Sequence, residues 1–171
     1  MTTSTPEAVP AVTLLLDGAV VRVRRCRHGP MAYLRQDAYV GRSLDLYGEY
    51  GEDEQAVLAQ MVRPGDVVVE AGANLGTHTV PLARKVGPSG ALIAFEPQRV
   101  VFQILCANVA LNELTNVHAQ NAAVGETPGS ARSAGDRLCG GQQFRRRVAR
   151  WRQLGHGESR RAGREGAGGH H

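Results

Sequence analysis

The stretch Val67-Val68-Val69-Glu70-Ala71-Gly72-Ala73-Asn74-Leu75-Gly76 decides how this chain is read. Three consecutive β-branched residues predict a strand, and the lack of polar alternation predicts one buried on both faces, as in a parallel sheet. Gly72 and Gly76 then predict a tight turn whose backbone passes close to a neighbour or a ligand. About twenty residues further on, Ala94-Phe95-Glu96-Pro97 ends a second apolar run on an acid. Strand, glycine turn, helix, strand and terminal acid in that order describe a βαβ unit, with ligands expected at the carboxyl ends of its strands.

The flanking sequence extends that unit in both directions. Upstream, Glu52-Asp53-Glu54 places carboxylates where a helix N-terminus favours them, Val57, Leu58, Met61 and Val62 recur at helical spacing, and Pro64-Gly65-Asp66 stops the helix. Ala11 to Leu16 and Ala19 to Cys26 flank the turn signal Asp17-Gly18, with Met31 to Leu34 as a third strand. Residues 11–51 therefore read as an N-terminal β-hairpin extension, and residues 1–10, polar and unpatterned, as a disordered end. Downstream, a helix is expected from Gly76 to Val86, and Pro81 inside it predicts a kink or a short first turn. A second strand spans Ala91 to Phe95. A helix from Gln98 to Asn112 carries Val101, Ile104, Leu105 and Leu111 as a core-facing stripe. Val117 to Asn121 is the third strand. The fold class is α/β: a Rossmann-like sheet, incomplete, with its first three parallel strands and two helices.

Glycine spacing separates the two nucleoside cofactors that use this layout. A dinucleotide fingerprint needs G-x-G-x-x-G, so that the backbone touches a pyrophosphate and helix packs on strand. Asn74 and Thr77 stand in the places of its second and third glycines. The pattern E-x-G-x-x-x-G instead suits a ligand with a ribose and no phosphate, and S-adenosylmethionine is such a ligand. On this reading Glu96 accepts both ribose hydroxyls, while Glu70 sets negative charge near the amino and sulfonium end. Asn121 and Ala122, at the carboxyl end of the third strand, are the adenine-side candidates. Each residue also has a plainer role: a ligandless turn for Gly72 and Gly76, a strand-ending charge for Glu96, a turn asparagine for Asn121. The competing classes are an NAD-type nucleotide-binding module and a nucleic-acid-binding protein acting through a basic tail.

The segments GDVVVEAGANLGTHT, then FEP, a helix with Asn108 and Asn112, and NVHAQNAAVG resemble the FkbM-type methyltransferases, class I S-adenosylmethionine-dependent enzymes. The resemblance runs from about Leu44 to about Ala131. G-A-N-x-G followed by Thr79 is its most specific element, and LYGEYGEDEQAVL its lead-in. It implies that residues 52–131 are the cofactor half of a class I methyltransferase domain, contacting the cofactor through Glu70, Gly72, Ala73, Asn74, Gly76, Thr79, Glu96 and Pro97. Tyr47, Glu49 and Tyr50 precede the first helix and are placed to close over the cofactor, Glu49 being the best candidate of the three. The implied reaction is O-methylation of a hydroxyl on a sugar or secondary metabolite, with a small-molecule substrate rather than nucleic acid. No catalytic base is legible: His78 beside the glycine turn suits packing or capping better, and the loops after strands four to six, which build the substrate face of this fold, have no counterpart.

From Arg132 to His171 there are ten arginines, nine glycines and three acids, a formal charge of +7, against −3 for residues 1–131. The net +4 of the chain is thus a property of the tail. Such a composition reads as solvated and unstructured, with Arg145-Arg146-Arg147, Phe144 and Trp151 as the centre of any nucleic-acid arm. A slipped reading frame explains the tail better. Degenerate codons for Ala134 to Leu154, read from the second base, permit VIDYAAANNFGGVSL, which resembles the family's continuation after its third strand. With the second half of the sheet lost, the first strand is expected to be an open apolar edge and the chain poorly soluble or partly molten.

Cys26, Cys106 and Cys139 have no metal spacing, and their odd number argues against a disulfide framework. No histidine pattern implies a metal. Without a signal-like start or a long apolar run, no membrane association and a cytoplasmic location are expected.

Overall fold

The computed structural model describes residues 13–126. The expected disordered end at residues 1–10 and the tail from Arg132, with its proposed frame slip, lie outside the described residues. The first three elements, β1 (Thr13–Asp17), β2 (Val21–Cys26) and β3 (Gly29–Leu34), form an antiparallel meander. The second sheet is parallel, ordered β4 (Val67–Ala71), β5 (Ala91–Phe95), β6 (Val117–Gln120), and its crossovers are α3 (Thr79–Val86) and α4 (Arg99–Leu111). Between the sheets in sequence lie α1 (Val40–Tyr47) and α2 (Glu52–Met61).

In the parallel sheet Val68 pairs with Leu92 and Leu92 with Val117, while Glu70 pairs with Ala94 and Ala94 with Ala119. Because side chains alternate across a strand, these residues share one face. Leu82 and Ala83 of α3, Leu105 of α4 and Leu58 of α2 pack against Leu92 and Ala94 in a single cluster. The other surface of the helix layer meets the meander: Met31, Ala32 and Tyr33 of β3 cluster with Val40 and Leu44 of α1, Val80 of α3 and Ile104 of α4. The helices are therefore buried on two sides, which accounts for the nearly continuous apolar sequence of α4.

Several expectations are corrected. The strand Val67–Ala71 is not buried on both faces: Val67 and Val69 are 60% and 55% exposed. Consecutive crossovers carry both helices to one face; on the other face Val67 and Val69 are left exposed, whereas Phe95 at the carboxyl end of β5 is buried. Residues 11–51 are not purely β, since α1 ends on Gly48 in the left-handed conformation (φ 72°) and its Leu44 fills the meander core. The first hairpin turn is longer than Asp17-Gly18 alone: Asp17 ends β1 and pairs with Arg22, and Gly18 to Val20 form the loop before β2. Helix α3 starts at Thr79 rather than Gly76, so Pro81 falls in the first turn, where it omits one bond between that of the Val80 N–H to the Gly76 carbonyl and that of the Leu82 N–H to the His78 carbonyl. The short first turn is the outcome. Leu111, expected in the core stripe, is 43% exposed, and Val57 and Met61 of α2 are 59% and 73% exposed.

Candidate cofactor site

The carboxyl ends of β4 and β5 converge on Glu96. Its side chain is buried, with Oε2 accepting the Asn74 N–H at 3.0 Å and Oε1 accepting the Gln98 N–H at 2.7 Å. Burial raises the carboxyl above its ordinary value, and the two backbone donors oppose that rise. Each oxygen, holding one N–H, retains acceptor capacity for a hydroxyl. The turn that supplies Asn74 is fixed by its own backbone: the N–H groups of Gly72 and Ala73 both donate to the Phe95 carbonyl, at 2.8 and 3.0 Å.

The two glycines do different work. Gly72 has φ +82°, and a Cβ there would meet nothing within 4 Å, so its face is open. Gly76 has φ +95°, and a Cβ would lie 2.8 Å from Leu105 Cδ1, so its role is close packing of the turn against α4. Asn74 also sits in the left-handed region at φ 51°, a conformation asparagine tolerates better than most residues. Its own Oδ1 accepts the Leu75 N–H at 2.8 Å.

Glu70, near the end of β4, accepts the hydroxyl of fully buried Thr79 at 2.6 Å. Burial pushes its carboxyl up to about 7, opposed by the Thr79 hydrogen bond. Glu70, Gly72, Ala73, Asn74, Gly76, Thr79, Glu96 and Pro97 are thus carried on one strand–turn–helix unit and the adjoining β5 end. Asn121, expected on the adenine side, lies beside the Glu96 end of β5: its Nδ2 donates to the carbonyls of Glu96 at 2.8 Å and Pro97 at 3.4 Å, bracing the loop after β5, and Ala122 next to it is buried. Glu49 accepts Arg27 Nη1 at 2.5 Å and its backbone carbonyl accepts the Ser43 hydroxyl at 2.7 Å. It lines a small cavity with Tyr50 and Thr77 rather than the Glu96 end of the turn.

His78 is tied to α2, with Nδ1 3.1 Å from Gln55 Oε1 and Nε2 3.4 Å from the exposed Glu54 carboxylate. Tyr47 is 62% exposed at the end of α1. A groove of about 570 Å3 borders the site, with Asn74 and Gln98 on one wall and Val20 and Leu34 of the meander on the other. Among the described residues no cluster of His, Cys, Asp or Glu suits a metal ion, and Cys26 and Cys106 are free thiols. No helix of the described residues is long and apolar enough to cross a membrane.

Sequence reasoning assigned no role to Asn108. Its amide is fully buried and fully satisfied: Oδ1 accepts the Ala32 N–H at 2.6 Å, and Nδ2 donates to the carbonyls of Ala32 at 2.9 Å and Leu75 at 2.7 Å. The signal was a polar residue inside an otherwise apolar helix, since a buried amide must find partners.

The strand order, the helices on one face and the acid ending β5 are those of a partial Rossmann-like α/β fold. No family model matches the chain. It is similar to the tRNA (adenine(58)-N(1))-methyltransferase catalytic subunit of Cryptococcus neoformans, 42% identical over 60 residues, which is 35% of this chain and 14% of that protein. It is also similar to methyltransferase sdnD of Sordaria araneosa, 36% identical over 64 residues, 37% of this chain and 24% of that one. The alignments therefore span less than a quarter of these curated relatives. Among solved structures, P. horikoshii TYW2 in complex with MeSAdo aligns with a TM-score of 0.47 at 23% identity, over 68% of this chain and 41% of that one. A SAM-dependent O-methyltransferase of Thermotoga maritima aligns with a TM-score of 0.41 at 21% identity, over 58% and 39%.

Proposed function

We propose that this chain carries the cofactor half-site of an S-adenosylmethionine-dependent methyltransferase. The observation that carries the reading is Glu96, buried at the end of β5, each oxygen held by one backbone N–H beside a glycine whose missing Cβ leaves open space. A rigid carboxylate with spare acceptor capacity is suited to two vicinal ribose hydroxyls. Glu70 then lies on the strand that leads into the same turn, where its charge complements a sulfonium and an ammonium. The absence of a dinucleotide glycine pattern favours this cofactor over NAD. Methyl transfer from a sulfonium is an in-line displacement, so holding the acceptor in line supplies much of the rate.

The finer reading is an FkbM-type O-methyltransferase acting on a hydroxyl of a sugar or secondary metabolite, supported by the G-A-N-x-G turn followed by Thr79. The likeness to a tRNA methyltransferase supports nucleic acid as a second acceptor class, beside the small-molecule hydroxyl expected from the sequence. Free Cys26 and Cys106 suit a reducing compartment such as the cytoplasm. The frame-slip reading of the tail is tested by the gene itself, whose codons either encode the shifted string or forbid it.

Calorimetry on the purified chain with S-adenosylmethionine, S-adenosylhomocysteine and NAD tests the cofactor. Saturable binding of the first two alone, abolished in a folded Glu96→Ala variant, is expected. Binding of NAD instead, or Glu96→Ala binding like the parent, would overturn the proposal.

A further inference from the structure

We propose that Asn108 is a positioning residue through which the N-terminal meander holds the glycine turn in its ligand-ready shape; the functional part of this inference rests on the cofactor reading above. Ala32 lies in β3, whose other edge is already paired with β2. The Asn108 amide takes the place of a further strand, offering Ala32 an acceptor at 2.6 Å and a donor at 2.9 Å. The second proton of the same Nδ2 goes to the Leu75 carbonyl, inside the turn, at 2.7 Å. One planar amide thus ties two backbone segments that are far apart in sequence.

Three further contacts make that link specific to the turn. The Leu75 side chain is buried in the meander cluster with Met31 and Tyr33, so backbone and side chain of this residue are both anchored to the same body. Leu75 lies between Asn74, whose N–H holds Glu96, and Gly76, which has no room for a Cβ against Leu105 of α4. Asn112, one turn along α4, repeats the device by donating to the Pro30 carbonyl at 2.8 Å. The meander is consequently bolted to the same helix that backs the turn, and a shift of β3 must move Leu75 or break the Asn108 amide bonds. A buried amide left half-paired is costly, so the two segments are expected to move together.

The comparison variant is Asn116→Asp. Asn116 also spends its amide on two carbonyls, those of Ala83 and Gly87 at 2.8 and 2.9 Å, but at the far end of α3. Asn108→Asp keeps shape and loses both donated bonds. Without ligand, the Asn74 and Gly76 amides should exchange hydrogen faster in Asn108→Asp than in Asn116→Asp, while the amide of fully buried Ala94 in β5 behaves alike in both. Binding of S-adenosylhomocysteine should weaken about tenfold in Asn108→Asp and stay near the parent value in Asn116→Asp. Equal loop exchange in the two variants would overturn the inference.

Coupling is reciprocal, so the unaltered chain provides a readout that does not depend on a variant folding. Saturating S-adenosylhomocysteine should slow exchange of the Ala32 amide more than that of Val23 in β2. An Ala32 amide untouched by ligand, while the turn amides slow, would refute the link. If the unaltered chain binds no S-adenosylhomocysteine, the cofactor reading falls, and the ligand-free exchange comparison still decides whether Asn108 holds the turn.

Discussion

At Glu70 the sequence placed a charge and the structure holds a weak acid. Burial pushes its carboxyl up to about 7, with Thr79 as its hydrogen-bond partner, against 4.5 for an ordinary glutamate. Between those values the folded chain binds more protons than the unfolded one. The contribution of Glu70 to stability is therefore complete below about pH 4.5 and is lost as the pH rises through about 7. The full difference corresponds to at most about 3 kcal/mol. Urea midpoints taken from about pH 5 to 7 should fall with pH in the parent and fall less in Glu70→Gln, which keeps a neutral shape; parallel curves would remove Glu70 as the cause. A cationic ligand beside this group would lower its proton affinity, so cofactor binding near pH 6 should release a proton, seen as heats that differ between two buffers of unlike ionisation enthalpy and agree in Glu70→Gln.

The strand–turn–helix element separates what stabilises the fold from what admits a ligand. Gly76→Ala drives a Cβ to 2.8 Å from Leu105 in a left-handed backbone and should cost about 1–3 kcal/mol of stability. Gly72→Ala meets open space and carries only the backbone penalty, about 1 kcal/mol, yet fills the face where the ligand is placed. Thermal unfolding and calorimetry on the pair should show Gly76→Ala losing more stability and Gly72→Ala losing affinity with little stability lost; affinity retained in Gly72→Ala would mean that no ligand approaches that glycine. Elements of this kind were legible because their signals are local: Ala91–Phe95 is the strand expected, and Gln98 to Asn112 bounds α4 by its two caps. Pro81 was legible as a constraint, and the register of α3 places it in the first turn. Helix α1 was missed because its eight residues bury only Val40, Gly41 and Leu44, too few for a periodic signal. The partners of Asn108 and Asn121 were illegible for another reason: a side-chain amide that spans 76 residues to Ala32, or 25 to Glu96, leaves no trace in local spacing.

The whole molecule has an asymmetric section: meander, helices, parallel sheet, and then a sheet face left exposed on its β4 side and buried at Phe95 of β5. Parallel sheets almost always carry structure on both faces. Here Val67 and Val69 stand 60% and 55% exposed on β4, whose outer edge has no partner strand among the described residues, and the same face turns polar at His118 and Gln120 of β6. Apolar exposure is therefore concentrated where the sheet would continue past β4. An unpaired edge beside exposed valines is a template for association. The unaltered chain is expected to self-associate and to bind a hydrophobic dye, and a monomeric sample with a sharp, cooperative thermal transition would contradict that. The double variant Val67→Thr, Val69→Thr keeps both side chains β-branched, so the strand should persist. Because neither valine is buried, its stability should stay within about 0.5 kcal/mol of the parent, while light scattering and dye binding both fall. If the threonine variant associates as strongly as the parent, the exposed valines are not the cause, and association runs through the backbone edge of β4 instead.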